Sequence, residues 1–117
     1  MGGTWSAEQL RRFEAAEELE VGGRRWTPVW VVRAGDQVYV RTWQRRDTGW
    51  YGRVRREGTA RVRVPGLEAD VVVEGTGDAE RAGVDAAYRA KYGRYGEATV
   101  GRMVSDEAAA STLRLTP

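Results

Sequence analysis

The two side chains that carry most nucleophilic and acid–base chemistry are missing, since the 117 residues include no cysteine and no histidine. Thiol nucleophiles, histidine-based triads, disulfides and Cys/His zinc sites are therefore excluded. A carboxylate-only Mg²⁺ or Ca²⁺ site needs acidic residues spaced along a loop, and no stretch resembles one, so no metal is expected. Lysine is almost absent too: Lys91 is the single exception among 19 basic residues. No run of about 18 apolar residues and no signal-peptide core occurs, so the expectation is a cytoplasmic protein without a membrane partner.

What remains is an arginine-rich, mixed-charge chain. The 19 basic residues face 17 acidic ones, for a formal charge of +2, and the hydrophobic share is 41%. These values describe one globular domain with a single modest core, residues 1–117. Arginine makes forked contacts to phosphate and carboxylate that lysine cannot. A GC-rich coding sequence would also enrich arginine, and both explanations stay open.

The periodicity predicts an α+β fold with strands dominating the middle. An N-terminal helix is expected within 1–17, because Ser6-Ala7-Glu8-Gln9 reads as a capping box with Leu10 and Phe13 behind it. Glu18 to Val21 opens a strand. "PVWVVRAGDQVYVRT" holds two β-rich runs around a hairpin turn at Ala34-Gly35-Asp36-Gln37. A short helix near 48–57 ends at Gly58. "ARVRV" alternates apolar residues with Arg61 and Arg63, and Pro65-Gly66 turns it into "LEADVVVEG". In 78–117, Asp78 is expected to cap a helix with Val84, Ala87, Tyr88 and Tyr92 on one face. Arg81, Asp85 and Arg89 would pair on the other. A short helical piece near Val100 to Val104 and a last strand, "STLRLT", follow. Five to six strands, the barrel strands lying in 26–75, with two or three short flanking helices, give a small antiparallel barrel.

The stretch "YVRTWQRRDTGWYGRV" raises an electrostatic question. Arg45 and Arg46 directly precede a helix N-terminus, whose partial positive charge repels cations. Asp47 as a cap resolves the conflict, and so does a bound anion. Arg41, Thr42, Trp43, Arg45 and Arg46 would meet a phosphate with hydroxyl, guanidinium and backbone donors. Trp43, Trp50 and Tyr51 would stack on a ring beside it, the outline of a flavin-like cofactor. The structural alternative makes Trp50 and Val54 core residues one turn apart.

The runs "TPVWVVRAGDQVYVRT", "GWYGRV" and "ARVRV…ADVVVE" resemble the FMN-binding split-barrel superfamily, in its deazaflavin-dependent nitroreductase-like branch and a family of uncharacterised domains close to it. Pro28 matches the proline opening the barrel strand, Val31 to Val40 the Gly-Asp hairpin, and Trp50-Tyr51 the aromatic pair starting the helix. The resemblance spans roughly Trp26 to Glu74. It implies a split antiparallel β-barrel, often a homodimer, that holds FMN or deazaflavin by its phosphate and reduces a small organic molecule. Arg24 and Arg25 join Arg41, Thr42, Trp43, Arg45, Arg46, Trp50 and Tyr51 as cofactor-binding candidates. Where relatives carry a Gly-Arg-Lys-Ser/Thr-Gly loop, this chain has "VGGRRWTP". That departure keeps a second expectation open: a cofactor-free barrel acting as an isomerase, cyclase or dehydratase.

Trp30, Trp43, Trp50 and Tyr88 are the substrate-pocket candidates. Tyr88, Tyr92 and Asp85 are the candidate proton donors, against the simpler roles of core packing for the tyrosines and surface pairing for Asp85. Trp30 lines the barrel, covers an outer helix or sits in a dimer interface. Arg61 and Arg63 raise nucleic-acid binding, but a net charge of +2 is a poor electrostatic footprint, so no nucleic-acid partner is expected.

Overall fold

A computed structural model describes residues 3–42 and 49–117. The sheet contains seven strands: β1 (Leu19–Val21), β2 (Thr27–Val29), β3 (Val31–Ala34), β4 (Gln37–Val40), β5 (Thr59–Val64), β6 (Leu67–Gly75) and β7 (Leu113–Thr116). The helices are α1 (Ala7–Ala15), α2 (Gly49–Glu57), α3 (Arg81–Tyr92), α4 (Glu97–Met103) and α5 (Asp106–Ala110). Strand order is β2-β1-β5-β6-β7-β4-β3, and every pairing is antiparallel.

The two ends of that order are consecutive in the chain. Only Trp30 separates β2 from β3, so one extended run starts at one sheet edge and finishes at the other. This curls the sheet into a nearly closed antiparallel barrel, the expected α+β architecture. The seventh strand comes from this break, because the run from Pro28 was expected to be one strand. Among the described residues four α-helices follow α1 rather than two or three; α5 is the addition, with the Ser105 hydroxyl accepting from the Ala108 N–H at its N-cap.

Local signals act as the residues dictate. In α1 the Ser6 hydroxyl accepts from Gln9 N–H while the Gln9 side chain accepts from Ser6 N–H, completing the capping box. The Pro65-Gly66 pair joins β5 to β6, and Gly66 supplies the positive φ of 82° that the turn needs. Asp78 does not cap a helix. It begins a 3₁₀ turn, Asp78–Glu80, that runs into α3 with no side-chain cap bond at either start.

Two apolar clusters result. The barrel interior takes alternate residues of the strands, including Leu19, Val62, Val71 and Leu115, with Leu10 and Phe13 from α1 and Tyr51 and Val54 from α2. The second cluster lies between the outer face of β3–β4 and helices α3 and α4, around Val32, Tyr39, Val84, Tyr88, Tyr92 and Val100. Strands β3 and β4 are thus buried on both faces. No helix among the described residues is long and apolar enough to cross a membrane.

Candidate functional site

Strand β3 is a sheet edge, so Val31 has backbone groups with no neighbouring strand to pair them. Helix α3 supplies substitutes. The Tyr92 hydroxyl accepts from Val31 N–H at 3.1 Å and lies 3.0 Å from Val31 O and 2.9 Å from Glu17 O, either of which can take its one hydrogen. Lys91 Nζ donates to Val31 O at 2.8 Å and to Phe13 O at 3.0 Å. Burial pushes the Lys91 ammonium down to about 8 and the Tyr92 hydroxyl up to about 12. Both groups hold the seam together.

Trp30, the residue at the seam, stacks on the Tyr92 ring with centroids 4.0 Å apart and planes 1° apart. It covers the outer helix, one of the roles open from sequence, and it also walls a cavity of about 300 Å³. The seam contributes Glu18, Pro28, Val29 and Trp30 to that cavity, the end of β4 contributes Arg41 and Thr42, and α2 contributes Trp50. Thr99, Arg102 and Met103 of α4 complete the lining. A volume of this size lies at the lower end for small-molecule sites.

Arg41 is the group that distinguishes the cavity. Its side chain is 0% exposed, and a charge that deep requires a partner. Nη1 lies 2.5 Å from Asp85 Oδ1 and donates to Met103 O at 2.8 Å, while Nε donates to Thr112 Oγ1 at 2.8 Å. The guanidinium also lies over the Tyr88 ring, 5.4 Å from its centroid. Nη2 is buried and has no hydrogen-bond partner among the described residues.

The sequence candidates divide accordingly. Arg41, Thr42, Trp30 and Trp50 come together on the cavity. Tyr51 is buried in the barrel interior, and Arg24 and Arg25 sit in the exposed connection between β1 and β2, off the cavity lining. Tyr88 is fully buried behind Arg41 and is not part of the lining; burial raises its hydroxyl far above the ordinary tyrosine range. Tyr92 supports Trp30 from beneath. Asp85 pairs with Arg81 as expected, at 3.4 Å, but its closer partner is Arg41, and no pair with Arg89 forms among the contacts described. Trp43, Arg45, Arg46 and the Asp47 cap lie outside the described residues.

Sequence reasoning missed Thr112, Met103, Thr99 and Arg102. Thr99 and Arg102 stand three apart on α4, which a helical reading brings to one face. Thr112 and the Met103 carbonyl had no local signal.

A larger groove, about 590 Å³, runs past Gly22, Gly23 and Trp26. Its arginines are already engaged: Arg53 donates to Gly22 O, and Arg61 pairs with Glu68 at 2.6 Å and Asp70 at 2.8 Å. Arg63, the other arginine of that strand face, pairs with Glu20 and stacks on Trp26. Among the described residues no carboxylate group gathers that could hold a metal ion.

Comparison with curated proteins finds no match. The model of a family described as "Uncharacterized protein conserved in bacteria (DUF2255)" matches residues 9–115, and the chain belongs to that family.

Proposed function

We propose that the seam cavity binds a small planar organic molecule, with Trp30 and Trp50 as its walls. The carrying observation is the conjunction of two tryptophans and a buried arginine around about 300 Å³ of space at the one break in the barrel. Apolar walls with a few convergent polar groups are what small-molecule sites share. In an isomerase, cyclase or dehydratase, Glu18 is the carboxylate on the lining that would move a proton at the ligand, while Thr42 orients it.

The second reading is a split-barrel oxidoreductase using FMN or deazaflavin. The barrel shape, together with Trp50 at the start of α2 on the cavity, favours it. Such a cofactor would supply the hydride chemistry. The described lining fits a ring better than a phosphate: Asp85 already compensates Arg41, and Glu18 stands on the lining together with Arg102.

One titration separates the readings. Tryptophan fluorescence is followed while FMN, deazaflavin and a library of neutral planar compounds are added, with thermal shifts in parallel. The first reading expects stabilisation by neutral planar compounds and none by FMN or deazaflavin. Quenching by either cofactor at micromolar concentration instead establishes the second, and no response to any compound overturns both.

A further inference from the structure

We propose that the seam cavity takes neutral planar heterocycles whose edge presents N–H donors, such as an amino-lactam edge, with the Glu18 carboxylate as the acceptor that selects them. The inference rests on the small-molecule reading of this cavity and names the ligand class it takes.

Three observations carry it. Glu18 lines the cavity, is exposed, and makes no hydrogen bond or ion pair among the described residues. Its neighbours differ: Glu17 pairs with Arg94 and accepts from the Tyr95 hydroxyl, and Glu20 pairs with Arg63 at 2.8 Å. On this arginine-rich chain Glu18 is thus the carboxylate of its segment left open, and it stands on a lining that also holds Trp30 and Trp50. The second observation is that its backbone is anchored on both sides. Leu19 is fully buried in the barrel interior, and the Glu17 carbonyl lies 2.9 Å from the Tyr92 hydroxyl. Burial is the main cause that raises the Tyr92 hydroxyl, and the Glu18 charge adds to it, which sets that carboxylate near the ring on which Trp30 stacks. The third is the ring wall. Tyr92 covers one face of Trp30 at 4.0 Å. Tyr95, 5.6 Å from Trp30 and 6.3 Å from Tyr92 between centroids, is too close to Tyr92 to cover the opposite face. Trp30 and Trp50 are both half-buried on the lining, so a flat ligand has indole surface to stack on beside the carboxylate.

The chemistry of the acceptor sets the class. An ionised carboxylate can only accept hydrogen bonds. Two adjacent N–H groups on a ring edge match its two oxygens, and such charge-assisted, paired bonds are stronger than neutral ones and more specific. A carboxylate on the ligand would bring a like charge toward Glu18. A ring with acceptor nitrogens alone would give Glu18 no donor, and a site that hydrogen-bonds its ligand rejects such an analogue more strongly than an apolar wall rejects a misfit.

The test uses the full chain and three probes of one fused-ring size: quinoxaline, with acceptor nitrogens only, quinoxaline-2-carboxylate, and 2-aminoquinazolin-4-one, with adjacent N–H donors. Affinities are measured by tryptophan fluorescence and by amide chemical-shift changes for wild type, Glu18→Gln and Trp50→Ala. The account expects 2-aminoquinazolin-4-one to bind about tenfold tighter than quinoxaline, and the carboxylate to bind weakest. Glu18→Gln should reduce the tenfold preference to about threefold or less while leaving quinoxaline affinity unchanged, and Trp50→Ala should weaken every probe. Because Glu18 is exposed and unpaired, Glu18→Gln should keep the wild-type melting temperature, so a lost preference reports on the ligand contact. Equal binding of quinoxaline and 2-aminoquinazolin-4-one, or tightest binding by the carboxylate, would overturn the donor class and leave the cavity reading intact. A preference that survives Glu18→Gln would overturn the role of Glu18 alone. Absence of binding by all three, or binding indifferent to Trp50→Ala with shifts away from the seam, would overturn the cavity reading itself.

Discussion

The barrel interior and the layer beneath α3 are both buried, yet they are built on different principles. The interior is filled by alternate side chains of the strands and by α1 and α2, with aliphatic and aromatic groups throughout. The outer layer threads Arg41, Asp85, Lys91 and the Tyr92 hydroxyl through an apolar cluster, each tied to a named partner. Packing in the first region depends on volume and tolerates conservative exchange. In the second, each polar group depends on its partner, and removing one leaves the other exposed to the full cost of burial. The candidate site opens where the two regions meet, with Val29 and Trp50 from the first and Trp30 and Met103 from the second.

The largest expected effect breaks the outer layer. Asp85→Ala leaves the Arg41 charge buried without its counterion and should lower unfolding free energy by about 3–5 kcal/mol. Adding Arg41→Met should return much of that loss, because the uncompensated charge goes with it. Denaturant midpoints of the wild type, both single variants and the double variant measure this; a double variant no better than Asp85→Ala would mean that the pair is not coupled.

The barrel interior should behave otherwise. Leu19→Ala, at a fully buried β1 position, is expected to cost about 2–5 kcal/mol. Combined with Arg41→Met the costs should add, since neither cluster shares that residue with the other. A large non-additive term in the same denaturant experiment would show that the two regions are one.

A smaller loss is expected at the seam. Tyr92→Phe keeps the ring under Trp30 but removes the acceptor for Val31 N–H, for a cost of about 1–3 kcal/mol. Hydrogen exchange at the Val31 amide should quicken at the same time; unchanged exchange would mean that Tyr92 only packs.

The mildest effect is in pH. Burial lowers Lys91 from 10.5 to about 8, so above pH 8 the unfolded chain holds a proton there that the folded chain has begun to release. Stability then rises with pH from about 8 toward 10, and the burial penalty is fully present below 8. Lys91→Met should flatten that rise. Tyrosine ionisation of the unfolded chain, with Tyr92 held up at about 12, opposes it above pH 10 and is common to both proteins. Equal slopes for wild type and variant between pH 8 and 10 would show that Lys91 is not held in the buried state.

Legibility in the sequence followed the range of the interaction. The Ser6–Gln9 box, the Gly35-Asp36 and Pro65-Gly66 turns and the Val84–Tyr88–Tyr92 stripe are short-range patterns, and each appears where its spacing indicated. The break at Trp30 was not legible, because period-two alternation is the same for one strand as for a run that leaves one sheet edge and joins the other. Arg41 was read as a phosphate ligand from its place at a strand end, but its counterion is 44 residues away on α3 and its hydroxyl acceptor 71 residues away. Asp85 was assigned to its helical neighbours for the same reason. The cavity was half legible: its two tryptophans and Arg41 stand out in the sequence, whereas the α4 residues that close it needed the fold.

The most direct measurement is a crystal structure of the chain with the neutral planar compound that stabilises it most. The account predicts the ring between Trp30 and Trp50. A ligand bound elsewhere would contradict it.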